Sequence, residues 1–186
     1  MNAEEAMNRL TEGNKRYVEG KMTAHDFPAR RKELVEGQQP FVTMIACSDS
    51  RVCPECIFDT SLGEIFLIET AGNIVGDITL GSIEYGIGHL NTPLLIVLAH
   101  SKCGAVTATC QGGEVEGNLG KVIGKIKPAA EKAGNEVIAA IDQNAKDVVQ
   151  DILARSPVVK KAVDEGKTKI VVMKYHLETG EVKVVE

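Results

Sequence analysis

Four short runs of apolar and β-branched residues punctuate the chain: FVTMIAC at 41–47, EIFLIET at 64–70, LLIVLAH at 94–100 and KIVVMKY at 169–175. Each is bounded by turn-forming residues and has the length of a strand covered on both faces, which is the pattern of a parallel sheet. The tract before them has a different period. Ala3, Ala6, Met7, Leu10, Tyr17 and Val18 fall near one face at helical spacing, with charges between them, so residues 3–19 are expected to form an amphipathic N-terminal helix. GDITLGSIEYGIGHL separates the second and third runs, KCGAVTATC follows the third, and a long helical tract spans about 121–165, punctuated by Gly134 and Pro157. Strands alternating with helices predict an α/β fold with a parallel-rich central β-sheet flanked by helices. The closing HLETGEVKVV has a glycine turn between two extended runs and reads as a C-terminal edge hairpin.

Length and composition narrow the picture. A chain of 186 residues with 44% hydrophobic content can bury one sizeable core. No repeat or linker divides it, so residues 1–186 are expected to be a single domain, with a helical arm over 1–36 and the α/β core over 37–186. Lys and Arg are scattered among Asp and Glu with a net charge of −5, which leaves no basic stripe for nucleic acid. The N-terminal MNAEEAMNRL has no apolar signal region, and runs such as LLIVLA at 94–99 are far below membrane-spanning length. Five cysteines are an odd number, and three of them crowd residues 47–56. That usage fits a reduced compartment with metal or redox chemistry better than a disulfide framework. The expectation is a cytoplasmic protein whose partners are small molecules or further copies of itself, with no nucleic acid and no membrane.

Ligands of parallel α/β sheets bind beyond the carboxyl ends of the strands. Cys47 ends the first run, His100 ends the third, and Cys103 follows within AHSKCG. Two thiolates and an imidazole suit zinc, and three protein ligands leave a fourth position for water or substrate. Asp49 stands close enough to Cys47 to bind the metal or to accept a hydrogen bond from a metal-bound hydroxide. Arg51 can hold that carboxylate through its planar fork.

CSDSR followed by HSKC resembles the β-class carbonic anhydrases. GNKRY, GQQP, IFDTSLGEIF, AGNIV, GSIEYGIGHL and YHLETGEV match further segments of that family, with Ala99 in place of the first glycine of its GHSxCGAV pattern. The likeness implies zinc-dependent, reversible hydration of carbon dioxide to bicarbonate, with sites at the interface of a dimer or a higher homo-oligomer such as a tetramer. It implies Cys47, His100 and Cys103 as metal ligands and Asp49 and Arg51 as a catalytic dyad. Gln38 matches a glutamine that reaches the neighbouring subunit's site, Phe66 and Tyr85 match positions lining the carbon dioxide pocket, and Gly72 and Asn73 sit in the matching active-site loop.

Two thiolates, a neutral imidazole and Zn²⁺ sum to zero formal charge, so hydroxide gains less there than on a three-histidine site. Turnover is therefore expected to rise through the alkaline side of neutrality. One position departs from the family. An arginine that in some members joins a tryptophan in an allosteric bicarbonate site is Glu69 here, and the chain has no Trp, so no such inhibition site is expected.

Rival readings are hydrolysis of carbonyl sulfide or carbon disulfide on the same centre, and a non-catalytic zinc or thiol sensor using CPEC at 53–56. That motif has redox-type or zinc-type spacing, but without a second such pair its thiols are expected to be packing or incidental residues. Cys110 reads as a core residue of the helix after Cys103, and His89 as a structural histidine in an apolar helical pattern. His25 and His176 are the candidates for passing protons to buffer. No glycine pattern fits a phosphate loop.

Overall fold

The computed structural model describes residues 1–113 and 115–186 and contains one five-stranded sheet of order β2-β1-β3-β4-β5. Strands β1 (Val42–Cys47), β2 (Ile65–Thr70), β3 (Leu94–His100) and β4 (Lys169–Tyr175) are parallel. β5 (Val182–Val184) pairs antiparallel with β4, closing the edge as the expected hairpin. Its turn depends on Gly180, which takes φ 77° and donates its N–H to the His176 carbonyl at 2.8 Å.

Every residue of β1 and β3 is buried, because successive side chains feed two different cores. On one face Ile45, Cys47, Leu95, Val97 and Ala99 pack with residues of α4 (Asp77–Glu84), α5 (Gly104–Gln111), α6 (Leu119–Lys132) and α7 (Val137–Arg155). Cys110 of α5 lies partly buried against this core. On the other face Met44, Ala46, Leu94, Ile96 and Leu98 pack with Ala6 and Leu10 of α1 (Ala3–Val18) and Ile57 of the short α3 (Pro54–Ile57). Burial on both sides is why these strands read as continuous apolar runs.

Residues 1–36 contribute α1 and α2 (Phe27–Glu33). Asn2 and Glu5 form a reciprocal capping box at the start of α1, and the fully buried Leu10 contributes about 1.5–3 kcal/mol. Asn14, also buried, ties α1 to α3 and to the C-terminal hairpin. Its Nδ2 donates to the carbonyls of Ile57 and Gly180, and its Oδ1 accepts from the Val182 N–H. The long helical tract resolves into α6, α7 and α8 (Pro157–Asp164), breaking where Gly134 takes φ 62° and where Pro157 opens a new helix. Among the described residues no helix is long and apolar enough to cross a membrane.

Candidate metal centre

β1 and β3 are neighbours, so their carboxyl ends deliver Cys47 and His100 to one place. Lys102 takes φ 55° in the turn that follows, which brings Cys103 back as the N-cap of α5. The ligand-capable atoms of Cys47, His100 and Cys103 lie within 4.8 Å of one another, and all three residues are buried. The two sulfurs are 4.0 Å apart.

The donor set fits a metal ion. The His100 Nδ1 is 2.9 Å from the Ser101 carbonyl, which can only accept, so Nδ1 carries the proton and Nε2 of the neutral ring presents its lone pair. That Nε2 is buried and has no hydrogen-bond partner. An orphaned nitrogen beside two sulfurs is costly unless a cation takes its lone pair. A tetrahedral ion with bonds of roughly 2.0–2.3 Å to nitrogen and sulfur needs ligand atoms about 3.5–3.8 Å apart, close to this spacing.

The cysteines are prepared unequally. Cys47 is drawn well below the ordinary thiol range, chiefly by the hydrogen bond shared with Cys103, against the opposing effect of burial, with His100 and the Gly72 N–H adding to the fall. Cys103 is pushed up by the same pairing and by burial, while the Val106 and Ala105 N–H groups at the start of α5 pull the other way. Gly72 donates to the Cys47 sulfur at 3.3 Å from a backbone with φ 69°. A side chain there would meet Ile126 Cδ1 at 2.7 Å.

Asp49 lies at the mouth of the group with its Oδ2 3.9 Å from the His100 Nε2. Arg51 grips it with both prongs, Nε to Oδ1 at 2.8 Å and Nη2 to Oδ2 at 2.7 Å. The Arg51 Nη2 also donates to the Lys102 carbonyl at 3.3 Å, so the pair is tied to the turn between two ligand-capable residues. The Arg51 hydrogen bonds outweigh burial and hold the Asp49 carboxyl down at about 2. Asp49 is therefore an ionised acceptor at neutral pH, committed to Arg51 and outside the three-residue group.

Gly72 and Asn73 flank this centre on the turn after β2, and the buried Asn73 takes φ 46° with its Nδ2 unpartnered. Phe66, Tyr85 and Gln38 do not join it in the same chain. Phe66 pairs in register with Thr43 while Cys47 pairs with Thr70, which places Phe66 about 13 Å down the strands. Its ring lies 5.7 Å from that of Tyr85, which is 46% exposed. Gln38 is exposed and precedes β1, at the strand end away from Cys47.

Three expectations need correction. His89 is exposed and stacked on Tyr85 at 5.2 Å, because the chain from Tyr85 to His89 forms a widened π turn that swings the ring out of the apolar face. Cys53 and Cys56 are exposed and hence not packing residues. His25, a candidate for passing protons to buffer, has its Nε2 buried 3.4 Å from Asp59 with no hydrogen-bond partner, and so is poorly placed for that role. His176, by contrast, follows β4 and lines a groove of about 750 Å³ together with Ser101, Lys102 and Gly104.

Asn144 was not anticipated. It is buried on α7 and donates to the Gly72 carbonyl at 2.9 Å, fixing the loop whose N–H meets Cys47. A sequence signal existed, because Asn144 sits on the apolar stripe of Ala140, Ile141, Ala145 and Val148, where an amide needs a partner. Glu69 is exposed on β2, its carboxyl pushed up by partial desolvation first and then by Glu55 and Cys47, and no cation pairs with it among the described residues.

A family model described as carbonic anhydrase matches residues 42–182. A carbonic anhydrase of Mycolicibacterium smegmatis is 34% identical over 188 residues, covering 96% of this chain and 91% of that protein. Carbonic anhydrase 2 of Mycobacterium tuberculosis is 34% identical over 189 residues, covering 94% and 89%. Among solved structures, one from a study of two tetrameric β-carbonic anhydrases of the ascomycete Sordaria macrospora superposes with a TM-score of 0.79 at 24% identity, covering 97% of each chain. The Coccomyxa β-carbonic anhydrase in complex with acetazolamide superposes at 0.77 with 24% identity, covering 96% of this chain and 86% of that one. At these identities the two structures speak for the fold.

Proposed function

Because the chain belongs to the β-class carbonic anhydrases, we propose that it catalyses the reversible hydration of carbon dioxide to bicarbonate and a proton, using zinc held by Cys47, His100 and Cys103. The observation that carries this reading is the meeting of three buried, convergent ligand atoms with an intact Asp49–Arg51 pair at their open side. Zinc in that group supplies Lewis acidity, which makes water a nucleophile near neutral pH.

The protein's own residues do the rest. His100 is fixed in the metal-binding tautomer by the Ser101 carbonyl, and the Gly72 N–H donates to the Cys47 sulfur, adding to the donors that favour its thiolate. Asp49 can only accept a hydrogen bond, so its Oδ2, at the mouth of the group, would orient a water there by accepting a hydrogen bond from it. Arg51 is the positioning residue that keeps Asp49 from becoming a fourth ligand and closing the site. His176, on the same end of the sheet as the ligand loop, is the better placed of the two histidines to hand protons to buffer.

Phe66, Tyr85 and Gln38 are too far from their own chain's centre, and this reading assigns them to the pocket of a second copy. A homo-oligomer follows, a dimer or a pair of dimers. Five free thiols support the cytoplasm as its location. The whole of 1–186 acts as one domain, with residues 1–36 as its helical arm on the 37–186 core.

Stopped-flow carbon dioxide hydration by zinc-quantified protein at mildly alkaline pH, expressed per bound zinc, tests the proposal. Rapid turnover is expected. Fully zinc-loaded protein that hydrolyses carbonyl sulfide or carbon disulfide but leaves carbon dioxide untouched would overturn it, as would zinc bound through Cys53 and Cys56.

A further inference from the structure

Neither the metal centre nor either core uses Cys53 and Cys56. Both are exposed, and their sulfurs lie 3.3 Å apart across the first turn of α3. The backbone around them is fixed from below. Val52, Pro54 and Ile57 are buried, the Ile57 N–H donates to the Cys53 carbonyl at 2.9 Å, and Asn14 Nδ2 donates to the Ile57 carbonyl at 3.1 Å. A disulfide requires sulfurs about 2.05 Å apart, so closure needs roughly 1.2 Å of approach, which rotation of exposed side chains supplies without moving the chain. Cys47 and Cys103 are also near each other, but they are buried and face the metal-binding group.

We propose that Cys53 and Cys56 form a reversible two-electron redox site, which closes to an intramolecular disulfide by exchange with a small-molecule disulfide. One cysteine thiolate attacks the reagent's disulfide, forming a mixed disulfide and expelling one equivalent of reagent thiolate. The second cysteine, as thiolate, then attacks the protein sulfur of that bond and expels the other equivalent. The two protein thiols lose two electrons and two protons, and the reagent leaves as two reduced thiols. The pre-set approach of the sulfurs makes the second step intramolecular, so the mixed disulfide does not accumulate.

The surroundings favour the closed form. The Cys56 thiol is pushed up to about 11, first by its hydrogen bond with Cys53, then by burial and by the charges of Cys53 and Glu55. A thiol that gains little from ionising leaves the reduced state less stabilised, and it is a poor leaving group when the disulfide is attacked. Closure changes no charge in the metal centre and leaves the Val52–Ile57 backbone in place. Zinc content and turnover should therefore be the same in both redox states.

The test uses the zinc-loaded full chain incubated with oxidised glutathione, then alkylated, digested and analysed by mass spectrometry. The expected product is a peptide holding Cys53 and Cys56 that has lost two hydrogens, escapes alkylation and regains both thiols with dithiothreitol, while zinc content stays constant. In Cys53→Ser the closed product should vanish, leaving Cys56 free or carrying one glutathione. Any of four results overturns the proposal: glutathione retained on the native pair, a disulfide between two chains, a Cys47–Cys103 disulfide with zinc loss, or thiols still free at a reagent ratio that oxidises a control dithiol peptide.

Discussion

Cys47 with Cys103 and Cys53 with Cys56 are both close thiol pairs, 4.0 Å and 3.3 Å between sulfurs, set in opposite surroundings. The first pair comes from two different strand ends, is buried, and is joined by an unpartnered imidazole nitrogen and by the N–H groups of Gly72, Ala105 and Val106. The second comes from one turn, is open to solvent, and has the Glu55 carboxylate 3.9 Å from Cys53. Hydrogen-bond donors around a buried sulfur offset the cost of burial and favour the thiolate that binds a cation. Free access leaves the exposed pair open to a disulfide reagent, and the neighbouring Glu55 helps to hold the Cys56 thiol up. The residue type is the same in both places, and the neighbours decide the chemistry.

The largest effect should come from breaking the buried pair. Cys47→Ala removes a ligand outright and should lower zinc affinity by more than the roughly 10–100-fold that loss of a supporting contact costs. Competition with a chelator reads this directly, and retention of native zinc affinity would show that the group is not the metal site. Next is Arg51→Ala, which frees Asp49 while leaving all three ligands. Turnover per zinc should drop roughly 10–100-fold with zinc content close to native. Parallel loss of zinc and rate would instead make Arg51 a scaffold of the fold.

Gly72→Ala should be felt in stability as well as rate, because it combines a left-handed backbone with a 2.7 Å approach to Ile126. A cost of about 1–3 kcal/mol is expected, read as a melting temperature lower by several degrees. An unchanged melting temperature would mean the loop relaxes, and that the Gly72 N–H does not support Cys47 as described.

The smallest effect concerns the anchor beneath the exposed pair. Asp59 follows α3 with its side chain fully buried. Burial by itself would raise its pKa, yet Arg16 and the Thr23 N–H and hydroxyl hold the carboxyl below its ordinary range. Because the folded value is depressed, its contribution to stability is complete above the ordinary carboxylate pKa. That contribution is lost as pH falls from about 4 toward the folded value, where the unfolded chain binds the extra proton. Acid titration of stability should therefore show a component that Asp59→Asn abolishes, with alkylation of Cys53 and Cys56 accelerating before that of Cys47 and Cys103. An identical acid profile in the variant would remove Asp59 from the account.

The strands, their parallel character and the terminal hairpin were legible because apolar runs and helical spacing are local patterns set by side-chain periodicity. The ligand types were legible for a similar reason. A cysteine and a histidine at strand ends, with a second cysteine in the following turn, form a donor set that could hold a metal, and that is readable from residue chemistry. Asn144 was missed because a single amide within an amphipathic helix has many bland explanations, and its partner lies 72 positions away in the chain. His89 was misread because helical periodicity assumes a regular turn, and the chain widens there into a π turn.

By itself, then, the sequence determined the element types, the family and which side chains are able to hold a metal, since each depends on residue chemistry and short-range spacing. Only the tertiary structure decided which of those residues meet. Strand register fixes positions along the sheet at about 3.3 Å per residue, so it brings Cys47, His100 and Cys103 into one buried group while holding Phe66 and Tyr85 toward the opposite end. Burial, which no stretch of sequence carries alone, then separated one thiol pair from water and left the other exposed.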